Sequence, residues 1–140
     1  MKWMIASDIH GSALYCDRML DAFRREGAGR LLLLGDLLYH GPRNDLPEGY
    51  APKMVISQLS SVADRVFCVR GNCEAEVDQM VLPHGHTHVP AKVHTETFWY
   101  LNPGSVSLPK ENSPHGYMTV EDGIFVWKNL EGVEYDRLTL

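Results

Sequence analysis

The sequence has little positive charge, few cysteines and no long hydrophobic run. Its 13 Lys and Arg residues stand against 18 Asp and Glu residues, giving a formal net charge of −5, so a surface that binds long nucleic acid is not expected. Three cysteines without paired spacing argue against a disulfide framework. The apolar run within Met1–Ser7 is too short for a signal peptide or a membrane span. These absences predict a cytoplasmic protein with reduced thiols and no membrane partner.

What is present indicates an ordinary globular domain. The chain has 140 residues, of which 44% are hydrophobic and 22% charged, and this predicts a single domain over residues 1–140. The first half alternates between strand and helix patterns. Strands are predicted at Lys2–Ser7, Arg30–Leu34 and Arg65–Arg70, and helices at Ser12–Glu26, Ala51–Ala63 and, less regularly, Glu74–Leu82. This order predicts an α/β domain with a parallel sheet.

The sequence predicts three further details of this first half. The Leu-rich strand at Arg30–Leu34 is predicted to be buried on both faces. The second helix is predicted to bury one face formed by Val55, Ile56, Leu59 and Val62. Tyr39–Gly49, rich in Pro, Gly and Asn, is predicted to be a loop.

The second half carries antiparallel signals. Ala91–Leu101 is predicted to be one strand, and His115–Glu121 with Gly123–Asn129 a hairpin around Asp122-Gly123. Glu134–Leu140 adds a further strand. We therefore expect either a mixed sheet or a second sheet packed on the first.

Metal-type side chains follow the predicted strands. Asp8 and His10 follow the first, Asp36 the second and Asn72 the third, and ligands of open α/β sheets bind beyond the carboxyl ends of strands. Gly85-His86-Thr87-His88 adds two imidazoles. Each motif alone is more often a turn or a solvated loop, but their joint occurrence predicts a common metal site. Nitrogen and oxygen ligands without thiolate suit manganese, zinc, iron or nickel better than calcium.

These residues spell Asp-x-His, Gly-Asp, Gly-Asn and Gly-His-x-His, and the chain resembles the calcineurin-like metallophosphoesterase superfamily. Within it, the chain is most similar to the bacterial YfcE-type phosphodiesterases. The stretches that carry this resemblance include His40–Asn44, Leu46–Pro52, Val69–Cys73 and Asn102–Ser107. The resemblance covers nearly the whole chain. It implies an α/β fold, a metallophosphoesterase-like sandwich of mixed β-sheets flanked by helices, lacking some family elements.

The resemblance also implies the site and the reaction. It implies a first metal held by Asp8, His10, Asp36 and His88, and a second held by Asp36, Asn72 and His86. The expected cofactors are two divalent ions, foremost manganese, with zinc, iron or nickel as alternatives. A hydroxide bridging the ions would hydrolyse a small phosphodiester substrate.

One departure concerns the proton donor. Many superfamily members have a His after the Gly-Asn, serving as general acid, where this chain has Cys73. His40 or Cys73 is then the candidate donor, although packing beside the site is the simpler interpretation of Cys73, and good leaving groups should be preferred. Arg43 and Arg70 flank motif loops and are candidate phosphate contacts or simply solvated cations.

A larger departure is a missing segment. Family members carry a His-Gly motif, with a further ligand of the second metal, between the Gly-Asn and Gly-His-x-His motifs. Here only Val81–His84 separates Met80 from Gly85. His84 is a relic of that motif, a replacement for its ligand, or simply a loop residue, and the last is the simplest interpretation. Lost strands would leave unpaired edges. Either a partner, such as a second copy in a homo-oligomer, covers the gap, or the sequence omits a natural segment.

Two functions therefore compete. The first is a metal-dependent phosphodiesterase. The alternative is a catalytically impaired scaffold or binding module of the same fold, as in a retromer subunit, and metal content would discriminate them. A serine or cysteine hydrolase is disfavoured because no Gly-x-Ser-x-Gly elbow is present.

Overall fold

The computed structural model describes residues 1–69, 71, 88–94 and 99–140. Its helices are α1 (Ala13–Arg25) and α2 (Pro52–Ser60), followed by a short 3-10 turn at Ala63–Arg65. Its strands are β1 (Trp3–Ala6), β2 (Arg30–Leu33), β3 (Val66–Cys68), β4 (Ala91–His94), β5 (Trp99–Asn102), β6 (Gly116–Glu121), β7 (Ile124–Asn129) and β8 (Glu134–Thr139). None of the helices in these ranges is long and apolar enough to cross a membrane.

The main sheet is mixed, as the sequence predicts. Its six strands run in the order β3-β2-β1-β6-β7-β8, and β4 pairs with β5 in a separate two-stranded ribbon. The β1–β2 and β2–β3 pairs are parallel, whereas β1–β6, β6–β7 and β7–β8 are antiparallel. The parallel half therefore carries the strand ends after which Asp8, His10 and Asp36 follow.

Both helices pack on one face of this sheet. Met4 and Leu31 of the strands meet Leu20 and Phe23 of α1 and Val55 of α2 in one buried cluster. Helix α1 begins after Ser12, whose hydroxyl accepts a hydrogen bond from the Tyr15 amide at 3.2 Å, a cap that serine commonly provides. The helix thus starts directly after the first metal motif and fixes where that motif leaves the sheet.

The other face holds a smaller cluster beneath the β4–β5 ribbon. Ile5, Met118 and Trp127 are buried there, with Leu101 of β5 packed against them. The Trp127 indole N–H donates to the Asn102 carbonyl at 2.7 Å. The ribbon is thereby bound to the antiparallel half of the sheet, which gives the fold its sandwich character.

Three sequence predictions need correction. Leu32 of the second strand is only half-buried, because its face of the sheet packs against the smaller of the two clusters, which covers it incompletely. Helix α2 ends at Ser60, and Ile56 is 52% exposed, since it lies a step around the helix from the buried Val55. The single strand predicted at Ala91–Leu101 is two antiparallel strands, β4 and β5. The helix predicted at Glu74–Leu82 lies outside the described residues.

Candidate metal centre

Two loops that follow parallel strands are bound together at the carboxyl edge of the sheet. The His10 amide donates to the Asp36 carbonyl at 2.8 Å, and the Asp8 amide donates to the Gly35 carbonyl at 3.2 Å. Gly11 continues the pairing by donating to Leu37 at 2.8 Å. The loops after β1 and β2 therefore hold Asp8, His10 and Asp36 side by side.

The predicted first-metal ligands share an unusual backbone conformation. Asp8, His10, Asp36 and His88 have φ values of 60°, 50°, 56° and 59°, in the left-handed region that few residues other than glycine adopt. In the described part of the chain, the other non-glycine residues with positive φ are exposed: Glu111, Asn112 and Asp122. A left-handed backbone costs free energy and persists only where the surrounding structure holds it. Such residues cluster at functional sites.

Three of these side chains converge on one point. His10 Nε2 lies 3.3 Å from His88 Nε2 and 3.4 Å from Asp8 Oδ1, and His88 Nε2 lies 3.3 Å from the same oxygen. Asp8 and His10 are fully buried, and His88 is 3% exposed. Within the described residues, this is the group of His, Cys, Asp and Glu side chains whose geometry suits a metal ion.

Backbone carbonyls set the direction of both imidazoles. His10 Nδ1 donates to the Tyr39 carbonyl at 2.8 Å, and His88 Nδ1 donates to the Leu108 carbonyl at 2.7 Å. In a neutral imidazole the other nitrogen then carries a lone pair. When both imidazoles are neutral, their Nε2 atoms present lone pairs to the Asp8 carboxylate, an arrangement that favours a cation at its centre and is common among metal-bound histidines.

The two imidazoles differ in basicity. Burial alone would lower the pKa of His10, but the Asp8 carboxylate and the Tyr39 carbonyl outweigh burial and raise the pKa. Burial lowers the pKa of His88, and the Asp8 carboxylate and the Leu108 carbonyl offset only part of it. A lowered pKa favours the neutral, ligating form of His88 at neutral pH.

The surroundings of the Asp8 carboxylate indicate whether a divalent ion fits this site. Both of its oxygens are buried and have no hydrogen-bond partner in the described part of the chain, a costly state for a charge without a counter-ion. The point equidistant from the three ligand atoms lies about 1.9 Å from each, close to the 2.0–2.2 Å bonds that zinc-type ions form with nitrogen and oxygen. The residues present therefore fit a divalent ion.

Asp36 lies beside this group and against Gly71. Asp36 is 2% exposed, and its charge contributes to raising the pKa of His10, although burial and Asp8 have larger effects. A Cβ atom added to Gly71 would lie within 2.7 Å of Asp36 Cγ. Only glycine leaves room for the carboxylate at this position.

The loop predicted at Tyr39–Gly49 borders the site. The His40 ring lies edge-on to the rings of Tyr39 and Tyr50, and its Nδ1 is buried without a hydrogen-bond partner among the described residues. Tyr50 also covers Gly11, where an added Cβ would meet the ring at 2.5 Å. Arg43 of this loop is exposed. The loop thus brings His40 next to Tyr39, whose carbonyl holds His10.

Several predicted site residues lie outside the described part of the chain. They are Arg70, Asn72, Cys73, His84 and His86. The second-metal set and the Cys73 proton donor therefore stay predictions.

Sequence reasoning missed the groups that hold the ligands in place. The Asp8 carbonyl accepts hydrogen bonds from the hydroxyls of Ser105 and Ser107 at 3.2 and 2.9 Å. The available signal was the Asn102–Ser107 stretch, which contributed to the family resemblance without an assigned role.

Known proteins are similar to this chain in sequence and in fold. The model of the calcineurin-like phosphoesterase family matches residues 1–139. Phosphodiesterase YfcE of Escherichia coli K12 is 39% identical over 164 aligned positions that cover 89% of each chain. The aligned region is longer than this 140-residue chain, so YfcE carries internal residues that this chain lacks.

Solved structures agree with the sequence match. The structure of YfcE, described as a phosphoesterase from E. coli, has a TM-score of 0.89 and 36% identity, and covers 99% of both chains. A conserved predicted phosphoesterase from Streptococcus pneumoniae (TM-score 0.60, 17% identity) and Vps29 of Chaetomium thermophilum (0.57, 12%) share the fold alone. By sequence and by structure, the chain belongs to the calcineurin-like phosphoesterase family.

Proposed function

We propose that this protein is a metal-dependent phosphodiesterase. The observation that carries the proposal is the convergence of Asp8 Oδ1, His10 Nε2 and His88 Nε2 within 3.4 Å of one another at a buried point. The match to a phosphodiesterase over 89% of the chain supports the same reaction.

The proposed cofactors are two divalent ions. Asp8, His10, Asp36 and His88 would hold the first, and Asp36, Asn72 and His86 the second. The donor set of imidazole and carboxylate is compatible with manganese, zinc, iron and nickel, and manganese is the ion proposed first. When bound, such ions supply an activated water nucleophile and neutralise the charge of the phosphoryl oxygens.

The chain's own residues prepare the site. Tyr39 and Leu108 direct the two Nε2 lone pairs inward through their carbonyl groups, and the burial of Asp8 excludes bulk water from its oxygens. Arg43 is proposed to contact the substrate phosphate from the neighbouring loop, together with Arg70. The proposed substrate is a small phosphodiester, in line with the acidic net charge. The proposed location is the cytoplasm, in line with the cysteine count.

His40 is the proposed proton donor to the leaving group, with Cys73 as the second candidate. The support is the position of His40 next to the residue that holds His10 and the unpartnered buried Nδ1. Changing His40→Gln should slow hydrolysis of an alkyl ester more than that of a nitrophenyl ester, because only the alkyl leaving group needs protonation. Equal slowing of both esters would assign His40 a structural role.

A paired substitution tests the proposed function. Purified protein with manganese should hydrolyse bis(p-nitrophenyl) phosphate, and His88→Gln should lower kcat/KM at least about 100-fold, because a bound ion contributes several kcal/mol to the transition state. His94→Gln is the matched control, since His94 is exposed on β4 and is not one of the three converging side chains.

Metal analysis separates the enzyme from the scaffold alternative. Two ions per chain, measured by elemental analysis after manganese loading, would agree with the enzyme. One ion or none, together with no release of nitrophenol, would contradict the proposal and favour an interaction scaffold.

A further inference from the structure

Three donors meet on one buried backbone oxygen beneath the candidate metal centre. The Asp8 carbonyl accepts from the Ser107 hydroxyl at 2.9 Å, the Ser107 amide at 3.2 Å and the Ser105 hydroxyl at 3.2 Å. Ser105 is fully buried and Ser107 is 4% exposed. These bonds fix the peptide plane that follows Asp8, and so hold its backbone in the left-handed conformation.

The same loop reaches the second ligand. The Ser105 hydroxyl accepts from the Leu108 amide at 3.0 Å, and the Leu108 carbonyl accepts from His88 Nδ1 at 2.7 Å. A hydroxyl has one proton and two lone pairs, so Ser105 donates to Asp8 and accepts from Leu108 at once. One serine thus connects two ligands that lie 80 positions apart in the sequence.

This loop is itself anchored away from the metal. The Gly104 amide donates to the Asn102 side chain at 2.8 Å, and the Asn102 carbonyl accepts from the Trp127 indole. On its other side, His115 Nδ1 donates to the Val106 carbonyl at 2.7 Å. These bonds fix the loop to the antiparallel half of the sheet.

We propose that Ser105 and Ser107 are positioning residues that preorganise Asp8 and His88 for the first metal ion. The inference rests on the proposed metal site and deepens it. Without these hydroxyls, the Asp8 carbonyl loses two of its three described donors and keeps the Ser107 amide. The left-handed backbone of Asp8 is then held less firmly, and so is the direction of its carboxylate toward the two Nε2 atoms. A preorganised ligand set binds more tightly because less conformational freedom is lost on binding.

The test compares metal affinity in single serine variants. Ser105→Ala and Ser107→Ala should each raise the Kd for manganese about 10-fold, at the lower end of the 10–100-fold effects of outer-shell groups, since they act on the ligand backbone. Isothermal titration of metal-free protein with manganese alone measures this. Ser61→Ala is the matched control, because its hydroxyl is exposed and donates to the Gln58 carbonyl of α2.

Two further readouts distinguish positioning from a purely structural role. The manganese concentration that gives half-maximal activity should rise in both variants by the same factor as the Kd, which a purely structural role would not predict. Metal-free Ser105→Ala should melt below the Ser61→Ala control, because the Leu108 amide loses its acceptor, but this loss of stability alone would leave the Kd unchanged.

The outcomes separate the inference from the proposed function. Wild-type affinity in both serine variants would overturn the inference and leave the metal site standing. A large loss of melting temperature without metal, at unchanged Kd, would assign the serines to the fold alone. If the wild type itself bound no manganese, the proposed function would fail, and the inference with it.

Discussion

Asp8, His10 and His88 present three lone pairs to one point, and their backbones reach that point only in the left-handed region. Asp and His are among the residues that tolerate this region best after glycine and asparagine. The ligand chemistry and the backbone conformation therefore select the same residue types.

Gly71 has no side chain, and this allows the Asp36 carboxylate to lie close to its backbone. Changing Gly71→Ala should lower manganese affinity and kcat/KM by at least about 10-fold, because the new methyl group displaces the Asp36 carboxylate. The free energy of unfolding should fall by about 1–3 kcal/mol through overpacking. Calorimetric metal titration and thermal melting measure the two effects.

Gly29→Ala is the control for this change. An alanine Cβ there would meet the exposed Met1 side chain, which can move aside. Metal affinity should be unchanged in this variant. Equal losses in the two variants would show that the space beside Asp36 is not what matters.

The role of a single residue was predictable from the sequence where that role depends on the chemistry of its side chain. Asp8, His10 and His88 are recognisable because carboxylate and imidazole in alternate spacing after a strand suit a metal. Ser105 and Ser107 were not recognisable, since they act through a backbone carbonyl that any residue at position 8 would supply.

At the scale of elements, the parallel strands followed from the sequence. A short apolar run that ends in a polar residue determines both the strand and its end, and β1 and β2 lie where the pattern puts them. The division of 91–102 into β4 and β5 was missed because each strand has only four residues, too few for alternation to reveal a reversal. Ile56 was misplaced because helical spacing alone does not fix the width of the buried face.

Glu26, at the end of α1, joins the helix to three strands. It accepts hydrogen bonds from Lys2 before β1 at 3.2 Å, from Tyr117 of β6 at 2.8 Å and from Lys128 of β7 at 2.8 Å. Its side chain is 7% exposed. Burial would raise the pKa of Glu26, but the bonds from Lys128, Tyr117 and Lys2 outweigh burial and lower the pKa.

Changing Glu26→Gln should reduce the free energy of unfolding by about 1–3 kcal/mol at pH 7, because two lysines lose a buried counter-charge. The folded pKa is lowered, so the stabilisation is complete above the ordinary glutamate pKa of about 4.3 and is lost as pH falls through the folded pKa. Urea unfolding of wild type and variant across acidic pH should therefore give converging curves.

Asp21→Asn provides the comparison for the Glu26 variant. Asp21 and Arg24 form an exposed pair on the same helix, and its loss should cost less than about 0.5 kcal/mol. A difference between wild type and Glu26→Gln that stayed constant down to pH 2 would contradict the ionic explanation.

At the scale of the whole molecule, folding and metal binding are coupled. Folding buries an Asp8 carboxylate whose oxygens lack hydrogen bonds in the described part of the chain. A bound ion offsets that cost, and at 100 times its Kd it stabilises the fold by about 2.7 kcal/mol. The fold was predictable from its elements, whereas this dependence follows only from how completely the site is buried.

Asp8→Asn should therefore be more stable than the wild type without metal and less stable than the wild type with metal. With a chelator, the variant should melt above the wild type, because no charge is buried. With excess manganese, the wild type should melt higher, because only it gains the ion. Differential scanning calorimetry under both conditions provides the measurement. Equal manganese-dependent shifts in the two proteins would place the ion elsewhere.

The left-handed backbone at the four predicted ligands also bears on how this protein can be engineered. Glycine at positions 8 and 36 relieves about 1 kcal/mol of backbone strain each, whereas at positions 10 and 88 it would leave a cavity in place of a buried imidazole. A directed-evolution library screened only for heat tolerance, with chelator present, should therefore enrich substitutions at positions 8 and 36. Such a screen would yield sturdier proteins that no longer turn over substrate, so every round of thermostabilisation needs an activity filter.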